Sequence, residues 1–206
     1  MDSGRCRQAA KAARVSAALH LGAIVGMVMI LRQGLPPGKL AERWDFVCFH
    51  REAWTIAWVA WMVAAVSATV AFGLMARALG RGRAAVLLFA AGNMPDLYGL
   101  WLYITVPFAS GCPDELLRMD RSGAFLNGAL ANGLYTVAWA VLVWQARGLH
   151  RGLDRLAVAG VAAGALLTVA SAVRFEPGMV AATAIVMPMF TAWLALAGRF
   201  FWRNGN

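Results

Sequence analysis

Residues 53–76 read AWTIAWVAWMVAAVSATVAFGLMA, a run of 24 residues without one charged side chain. An α-helix rises about 1.5 Å per residue and the hydrocarbon core of a bilayer is about 30 Å thick, so roughly 20 such residues cross it. Five further apolar runs have comparable lengths and cover residues 15–31, 84–107, 124–146, 156–173 and 178–198. The sequence therefore predicts an all-α membrane protein. Its six transmembrane helices, called spans 1 to 6 in chain order, would form one bundle and a single domain over residues 1–206.

The charged residues between the spans are unequally distributed. The segment before span 1, the connections between spans 2 and 3 and between spans 4 and 5, and the segment after span 6 together hold twelve Lys or Arg and two acidic residues. The other three connections hold seven cations and seven anions. Cytoplasmic loops of membrane proteins are enriched in Lys and Arg. This bias predicts that both termini are cytoplasmic, in a multi-pass protein of the cell membrane, which in a bacterium is the inner membrane.

The formal net charge of +9 would indicate nucleic-acid binding in a soluble protein. Here the basic residues lie at the ends of apolar spans, where they fix topology and attract anionic lipid headgroups. We therefore expect the lipid bilayer as a partner and no nucleic acid. A second copy of the chain, or another membrane protein, is a further partner that the sequence leaves open.

Two features predict how the connections and spans pack. The connection 32–52 carries Leu40, Trp44 and Val47 at helical spacing, which indicates a short helix at the membrane interface; an irregular loop with aromatic anchors is the alternative. On span 2, Trp54 is expected at the interface, with its indole N–H in water.

Small residues four apart let two helix backbones approach closely. This pattern occurs at Gly22 and Gly26 in span 1, and at Gly160 and Gly164 in span 5, where Thr168 and Ser171 extend it. We expect both motifs to pack within the chain; a dimer face is the alternative.

One carboxylate lies inside a span. Asp96 is 12 residues from the start of span 3 and 11 from its end, close to the bilayer midplane. A charged side chain at that depth costs about 2.5–3.5 kcal/mol, so such residues usually face the bundle interior, have a partner and mark a functional path. Gly92 and Gly99 thin the same helix face, and Pro95 removes one helical hydrogen bond. Asp96 is therefore the candidate functional residue. The alternative is a purely structural hydrogen bond between helices.

Other polar side chains of spans 3 and 4 lie near the same depth. Asn93 precedes Asp96 by about one turn, and Tyr103 follows it by seven residues. Span 4 supplies Asn132 and Tyr135, which are one turn apart. We predict that these five side chains form a small ligand-binding pocket; in the structural alternative, a protonated Asp96 bonds to Asn132 and merely holds the two helices together.

The cysteines and histidines indicate at most a disulfide and no catalytic or metal site. Cys48 and Cys112 lie on the same predicted side of the membrane, near neighbouring helix ends, so an oxidising compartment would permit a disulfide between them. The three histidines do not cluster, and metal-ligand, nucleophile and phosphate-loop motifs are absent. We therefore predict neither a metal site nor a cofactor.

Three function classes fit these observations. The first is a membrane protein that binds or transports a small apolar molecule, or a proton, at Asp96. The second is an intramembrane enzyme that acts on a lipid or terpenoid, with Asp96 as the acid and Tyr103 or Tyr135 assisting. The third is a structural or assembly subunit of a membrane complex.

Overall fold

The computed structural model describes residues 2–147 and 150–206, and this part of the chain is helical without strands. Six of its helices are long and apolar enough to cross a membrane, and each corresponds to one of the predicted spans. They run over Ser3–Gly34, Arg51–Leu79, Arg83–Ser110, Asp114–Gln145, Arg151–Ala172 and Glu176–Gly205. The prediction of an all-helical protein with six spans is confirmed. Four helices extend past their apolar runs at both ends, whereas the helices of spans 4 and 5 end one residue before the predicted boundary.

The six helices close a ring. Each span packs on the next one along the chain, and span 6 packs on span 1. The guanidinium of Arg7 donates from Nε to the carbonyl oxygen of Gly205 at 3.0 Å, so the two ends of the chain lie together. We call this side of the bundle the terminal end, and the opposite side the capped end.

Aromatic side chains fill the interior of the ring on the terminal side of its middle. The rings of Phe72 and Phe89 have centroids 4.3 Å apart, and those of Trp139 and Trp193 are 5.5 Å apart. Phe190 contacts rings of spans 2, 3 and 4. All five side chains are buried. Because they come from spans 2, 3, 4 and 6, this central aromatic cluster holds four helices together.

Small residues make the closest helix crossings, but only one of the two predicted motifs does so. In span 5, Gly160 faces the ring of Trp139, and Gly164 faces the side chain of Thr136. This motif packs within the chain against span 4, as predicted. In span 1, a side chain at Gly22 would meet no atom within 4 Å, so the prediction of a tight crossing is wrong for Gly22, whereas Gly26 makes an ordinary contact within the chain, with a Cβ position 3.7 Å from Ala57 of span 2. Span 1 instead approaches span 6 closely near Ala10, because that face of its helix consists of buried alanines.

Two short helical segments cover the capped end. The loop helix Leu40–Phe49 confirms the helix predicted in the first long connection, and the first part of the span 4 helix, Asp114–Gly123, lies beside it. Arg43 is buried and donates from Nη2 to both carboxylate oxygens of Asp120, at 2.9 and 2.8 Å. Its Nε donates to the carbonyl oxygen of Gly34 at 3.1 Å. One guanidinium thus joins the loop helix, span 4 and the end of span 1.

Beneath this cover, Trp54 is fully buried within the protein, so the expectation that its indole N–H lies in water is wrong. Its indole N–H donates to the backbone oxygen of Tyr103 at 2.8 Å, which satisfies the donor without water. The ring of Tyr103 stacks on that of Trp58, with centroids 4.7 Å apart. These rings tie spans 2 and 3 together near the capped end.

A candidate proton-binding site between spans 3 and 4

Two side chains of span 4 lie within hydrogen-bond distance of the Asp96 carboxyl group. Asn127 donates from Nδ2 to Asp96 Oδ1 at 2.7 Å, and the same nitrogen lies 2.9 Å from the backbone oxygen of Asp96. The hydroxyl of Tyr135 lies 3.0 Å from Asp96 Oδ2. Within residues 2–147 and 150–206, none of the ion pairs includes Asp96. Neutral donors therefore surround this carboxyl group, and no Lys or Arg balances it.

The hydrogen bonds continue from Tyr135 to span 2. The Tyr135 hydroxyl lies 2.6 Å from Asn93 Oδ1, and Asn93 Nδ2 donates to Thr69 Oγ1 at 2.6 Å. The Thr69 hydroxyl lies 3.4 Å from the backbone oxygen of Ala65. A continuous chain of polar groups therefore runs from span 4 through span 3 to span 2. We call Asp96, Asn127, Tyr135, Asn93 and Thr69 the Asp96 site.

A change of helix type in span 4 brings the side chains of Asn127 and Tyr135 to the same face of the helix. In a regular α-helix, residues eight positions apart differ in direction by about 80°, which would separate Asn127 from Tyr135. The segment Ala124–Ala131 is π-helical. A π turn holds more residues, so each residue rotates through a smaller angle and the two side chains reach nearly the same face. Segments of this kind occur frequently at functional sites.

Two glycines of span 3 make room for these side chains. A Cβ atom on Gly92 would lie 2.7 Å from the ring of Tyr135, and one on Gly99 would collide with the amide of Asn127. Both side chains can therefore lie directly on the span 3 backbone. The Tyr135 ring also contacts Phe89 of the central aromatic cluster, with centroids 4.4 Å apart.

The structure brings three of the five predicted pocket residues together, namely Asp96, Asn93 and Tyr135. Tyr103 is not among them, because it lies two turns nearer the capped end and stacks on Trp58. Asn132 faces span 5 instead, where its Nδ2 donates to the Gly164 carbonyl oxygen at 2.7 Å and to Thr168 Oγ1 at 2.8 Å. The hydrogen bond between Asn132 and Asp96, which the structural alternative required, is therefore not formed. Whether the remaining cluster binds a ligand stays a prediction.

Sequence reasoning missed Asn127 and Thr69. Asn127 is polar and lies in an apolar span, which is a visible signal, but regular helical geometry puts it on a different face from Tyr135. Thr69 is a single hydroxyl in span 2, and nothing in its spacing distinguishes it from Ser67, which instead donates to Ser16 Oγ at 3.0 Å. Arg43 and Asp120 are 77 positions apart, so their pairing leaves no local pattern.

The site is neither fully enclosed nor fully satisfied. Asp96, Asn93, Asn127 and Tyr135 are each partly exposed at the surface of the chain. Among the described residues, Asn127 Oδ1 is buried and has no hydrogen-bond partner. A carboxyl group in such surroundings can gain or lose a proton, and it can hydrogen-bond a molecule that reaches it between spans 3 and 4.

Cys48 and Cys112 are both exposed, near the end of the loop helix and just after span 3. Within the described part of the chain no disulfide joins them. Their pairing stays a prediction for the oxidised protein.

Comparison of the chain with protein-family models, with curated proteins and with solved structures gave no match.

Proposed function

We propose that this membrane protein binds and releases a proton at Asp96, and that this step serves the binding or transport of a proton or of a small apolar molecule. The observation that carries the proposal is the placement of Asp96 midway along span 3, where Asn127 and Tyr135 bond to it and no cation of the described residues pairs with it. Intramembrane carboxyl groups in such positions commonly mark proton or substrate paths. The cell membrane as location and the cytoplasmic termini belong to the same proposal.

With the Asn93 amide oriented as in the structure, counting hydrogens leads to a protonated Asp96. A phenol has a single hydrogen to donate, yet Tyr135 Oη lies within bonding distance of both Asn93 Oδ1 and Asp96 Oδ2. When Tyr135 donates to Asn93, the hydrogen between Tyr135 and Asp96 has to come from Asp96. The neutral acid then donates to Tyr135, Tyr135 to Asn93, and Asn93 to Thr69, so each bond of the chain has one hydrogen.

A second arrangement satisfies the same chain with Asp96 ionised. If the amide of Asn93 is turned over, its nitrogen donates to Tyr135, Tyr135 donates to Asp96, and Thr69 donates to Asn93. The two orientations of an amide differ only in which atom is O and which is N. Loss of the proton from Asp96 therefore reverses the direction of every bond as far as Thr69 and leaves none of them broken. This property makes the Asp96 site suitable for reversible protonation.

Infrared spectroscopy tests the protonation directly. Difference spectra of the protein in lipid between about pH 5 and about pH 9 should contain the carbonyl stretch of one protonated carboxylic acid inside the membrane. Asp96→Asn should remove this band while the fold is retained, because the amide preserves shape and hydrogen bonding. Asp45→Asn, a change on the exposed face of the loop helix, is the matched control and should keep the band. The same band in Asp96→Asn and the wild type would overturn the proposal.

Reconstitution tests the use of that proton. Liposomes that contain the wild-type protein should dissipate an imposed proton gradient faster than empty liposomes, and Asp96→Asn should lower the rate to that of empty liposomes. Wild-type liposomes that are no faster than empty ones would exclude proton transport by the chain alone. Equal rates for Asp96→Asn and the wild type would show that Asp96 is not on the path.

One observation favours a structural role as the second candidate. The bonds from Asn127 and Tyr135 to Asp96 all join span 3 to span 4, as hydrogen bonds that merely hold helices together would. In that case Asp96→Asn should be silent in the liposome assay. Asp96→Leu should lower stability, because it removes the side-chain acceptor of the Asn127 amide and the partner of the Tyr135 hydroxyl, and leaves the amide only the backbone oxygen of residue 96. The pair of variants separates the two roles.

A further inference from the structure

A groove of about 800 Å³ runs between spans 2 and 3 at the capped end, away from the Asp96 site. Its volume lies in the range of small-molecule sites, about 300–1,000 Å³. The groove is lined by Arg51, Glu52, Thr55, Ile56, Ile104, Thr105, Phe108 and Ala109. Ile56 is 68% exposed, so the groove opens on the side that faces lipid.

The lining changes character with depth in the order found along a phospholipid. On span 2, the charged pair Arg51 and Glu52 comes first, Thr55 follows one turn deeper, and then Ile56. Span 3 runs in the opposite direction, and its hydroxyl at Thr105 is again followed by an isoleucine on the deeper side. Charged groups at the headgroup level, hydroxyls at the glycerol level and apolar side chains below them match a lipid molecule in both position and polarity.

Arg51 is held in a geometry that leaves its hydrogen-bond donors available. Its guanidinium carbon lies 4.3 Å from the centroid of the Phe108 ring. Stacking on an aromatic ring occupies the face of the guanidinium, and the N–H groups at its edge remain able to bind phosphate oxygens. Phe108 therefore fixes Arg51 over the groove at the depth of a lipid phosphate.

The lining of the groove holds one positive and one negative side chain, Arg51 and Glu52. This pair favours some lipid headgroups over others. None of the ion pairs in the described part of the chain includes Arg51 or Glu52. An arginine for a phosphate and a carboxylate for an ammonium group complement a zwitterionic headgroup better than an anionic one. A primary ammonium carries N–H donors for Glu52, whereas a quaternary ammonium carries none.

We propose that this groove binds one phospholipid with a zwitterionic, primary-ammonium headgroup, whose phosphate contacts Arg51, whose ammonium contacts Glu52, and whose acyl chains lie along Ile56 and Ile104. The lipid would link the ends of spans 2 and 3 next to the loop helix. This site is independent of the function proposed for Asp96.

Native mass spectrometry of the purified full chain tests the site with three added lipids of identical acyl chains: phosphatidylethanolamine, phosphatidylcholine and phosphatidylglycerol. The ethanolamine lipid should be retained most strongly. Arg51→Gln should lower retention of that lipid about tenfold through loss of a charge-assisted contact to phosphate. Glu52→Gln should reduce its retention to the level of the choline lipid. Arg118→Gln, an exposed arginine at the same end but outside the groove, should change neither.

Three results would overturn the proposal: equal retention by Arg51→Gln and Arg118→Gln, preferred retention of phosphatidylglycerol by the wild type, or unchanged headgroup preference in Glu52→Gln. Glycerophosphoethanolamine, which carries the headgroup without acyl chains, should not displace the lipid. Full displacement by this soluble compound would identify a headgroup site rather than a lipid groove. Thermal unfolding of each variant verifies that the differences do not come from loss of the fold.

Discussion

The hydroxyl of Tyr135 is the atom that joins the two polar residues of span 3 to span 4. It lies within hydrogen-bond distance of both Asn93 and Asp96, while its ring packs on Phe89. Packing and hydrogen bonding therefore come from different parts of one side chain. Removing the oxygen alone separates the two contributions.

Tyr135→Phe should lower the free energy of unfolding by about 0.6 kcal/mol, the mean measured for hydrogen bonds between transmembrane helices, and by no more than about 1.7 kcal/mol, the largest value measured. It should also change the pH at which the Asp96 carbonyl band titrates, because the neutral acid loses its acceptor. Tyr98→Phe in span 3 is the control, since Tyr98 is 55% exposed. Unfolding in mixed micelles measures the first effect and infrared titration the second. Identical behaviour of the two variants would exclude the proposed hydrogen-bond chain.

The reactivity of Cys48 provides a pH-dependent test outside the spans. Although Cys48 is exposed, the protein beside it removes some of the water around the thiol, and this desolvation, followed by the neighbouring Asp45 carboxylate, raises the pKa of the thiol above its ordinary value. A raised pKa means less thiolate at a given pH, and the thiolate is the reactive form. In a Cys112→Ser background, alkylation of Cys48 should therefore be slower than that of a model thiol at neutral pH and should accelerate as pH rises.

Asp45→Asn should speed alkylation of Cys48 at neutral pH, because removal of the negative charge lowers the pKa of the thiol. Glu42→Gln, a charge-removing change on the same helix, should have a smaller effect. Alkylation rates measured over a pH series provide the comparison. Equal acceleration by both substitutions would show that Asp45 has no specific influence on Cys48.

At the scale of whole elements, the two small-residue motifs behave differently although their sequences look alike. Gly160 lies under the Trp139 ring, so an added methyl group would force that ring to move. Gly22 faces open space. Gly160→Ala should destabilise the protein by about 1–3 kcal/mol, as overpacking does. Gly22→Ala should be neutral or slightly stabilising, because alanine favours the helix. Unfolding midpoints test both, and equal effects would contradict the assigned crossing.

The buried ion pair that fastens the loop helix should be worth far more than an exposed one. The side chains of Arg43 and Asp120 are 4% and 16% exposed. Arg43→Gln should destabilise the protein by about 3–5 kcal/mol, because a buried carboxylate loses its partner. The exposed pair of Arg118 and Glu115 lies on the same stretch of span 4, and Arg118→Gln should cost about 0.2–1 kcal/mol. Double-mutant cycles on both pairs provide the measurement. A coupling energy no larger for the buried pair would contradict this ranking.

Helix geometry explains which parts of the Asp96 site could be predicted. Asn93 and Asp96 lie on one helix face because they are three positions apart. Tyr135 lies at a similar depth in the membrane on the next span, so these three residues could be predicted. Asn127 was not, because the π-helical segment Ala124–Ala131 changes the direction of the residues in and before it relative to Tyr135, and its sequence AFLNGALA gives no sign of this change. Asn132 lies after that segment and was misassigned because its offset of three positions from Tyr135, about 60° around a regular helix, turns it toward span 5.

For the molecule as a whole, length and hydropathy determine the six spans but not their order in space. Apolar runs of 17 or more residues predicted the helices, and the structure confirms all six. The closure of the ring between spans 1 and 6 depends on contacts such as Ala10 with Gly198, which are remote in sequence. The central aromatic cluster likewise draws side chains from four spans. Contacts of this kind leave no periodic pattern in one sequence.

The structure supports the prediction that both termini lie at the same end of the bundle. The charge distribution predicts on which side of the membrane that end lies. Ser3 and Gly205 lie together at the terminal end, as an even number of spans requires. The terminal end also receives the connections between spans 2 and 3 and between spans 4 and 5, which carry three arginines each. Because Lys and Arg in short loops are retained in the cytoplasm, the terminal end should be cytoplasmic.

Reporter fusions after Arg83 and after Arg151 should therefore report the cytoplasm, and fusions after Arg43 and after Asp120 the opposite side. Pairs of fusions on both sides control for reporters that are inactive for other reasons. If the charge bias is the cause, replacing the arginines of the connection between spans 2 and 3 with glutamine should weaken the cytoplasmic signal there. An outside signal after Arg83 in the unaltered chain would invert the whole arrangement. It would place the loop helix and the lipid groove in the cytoplasmic leaflet, while the ring of helices and the Asp96 site would remain as described.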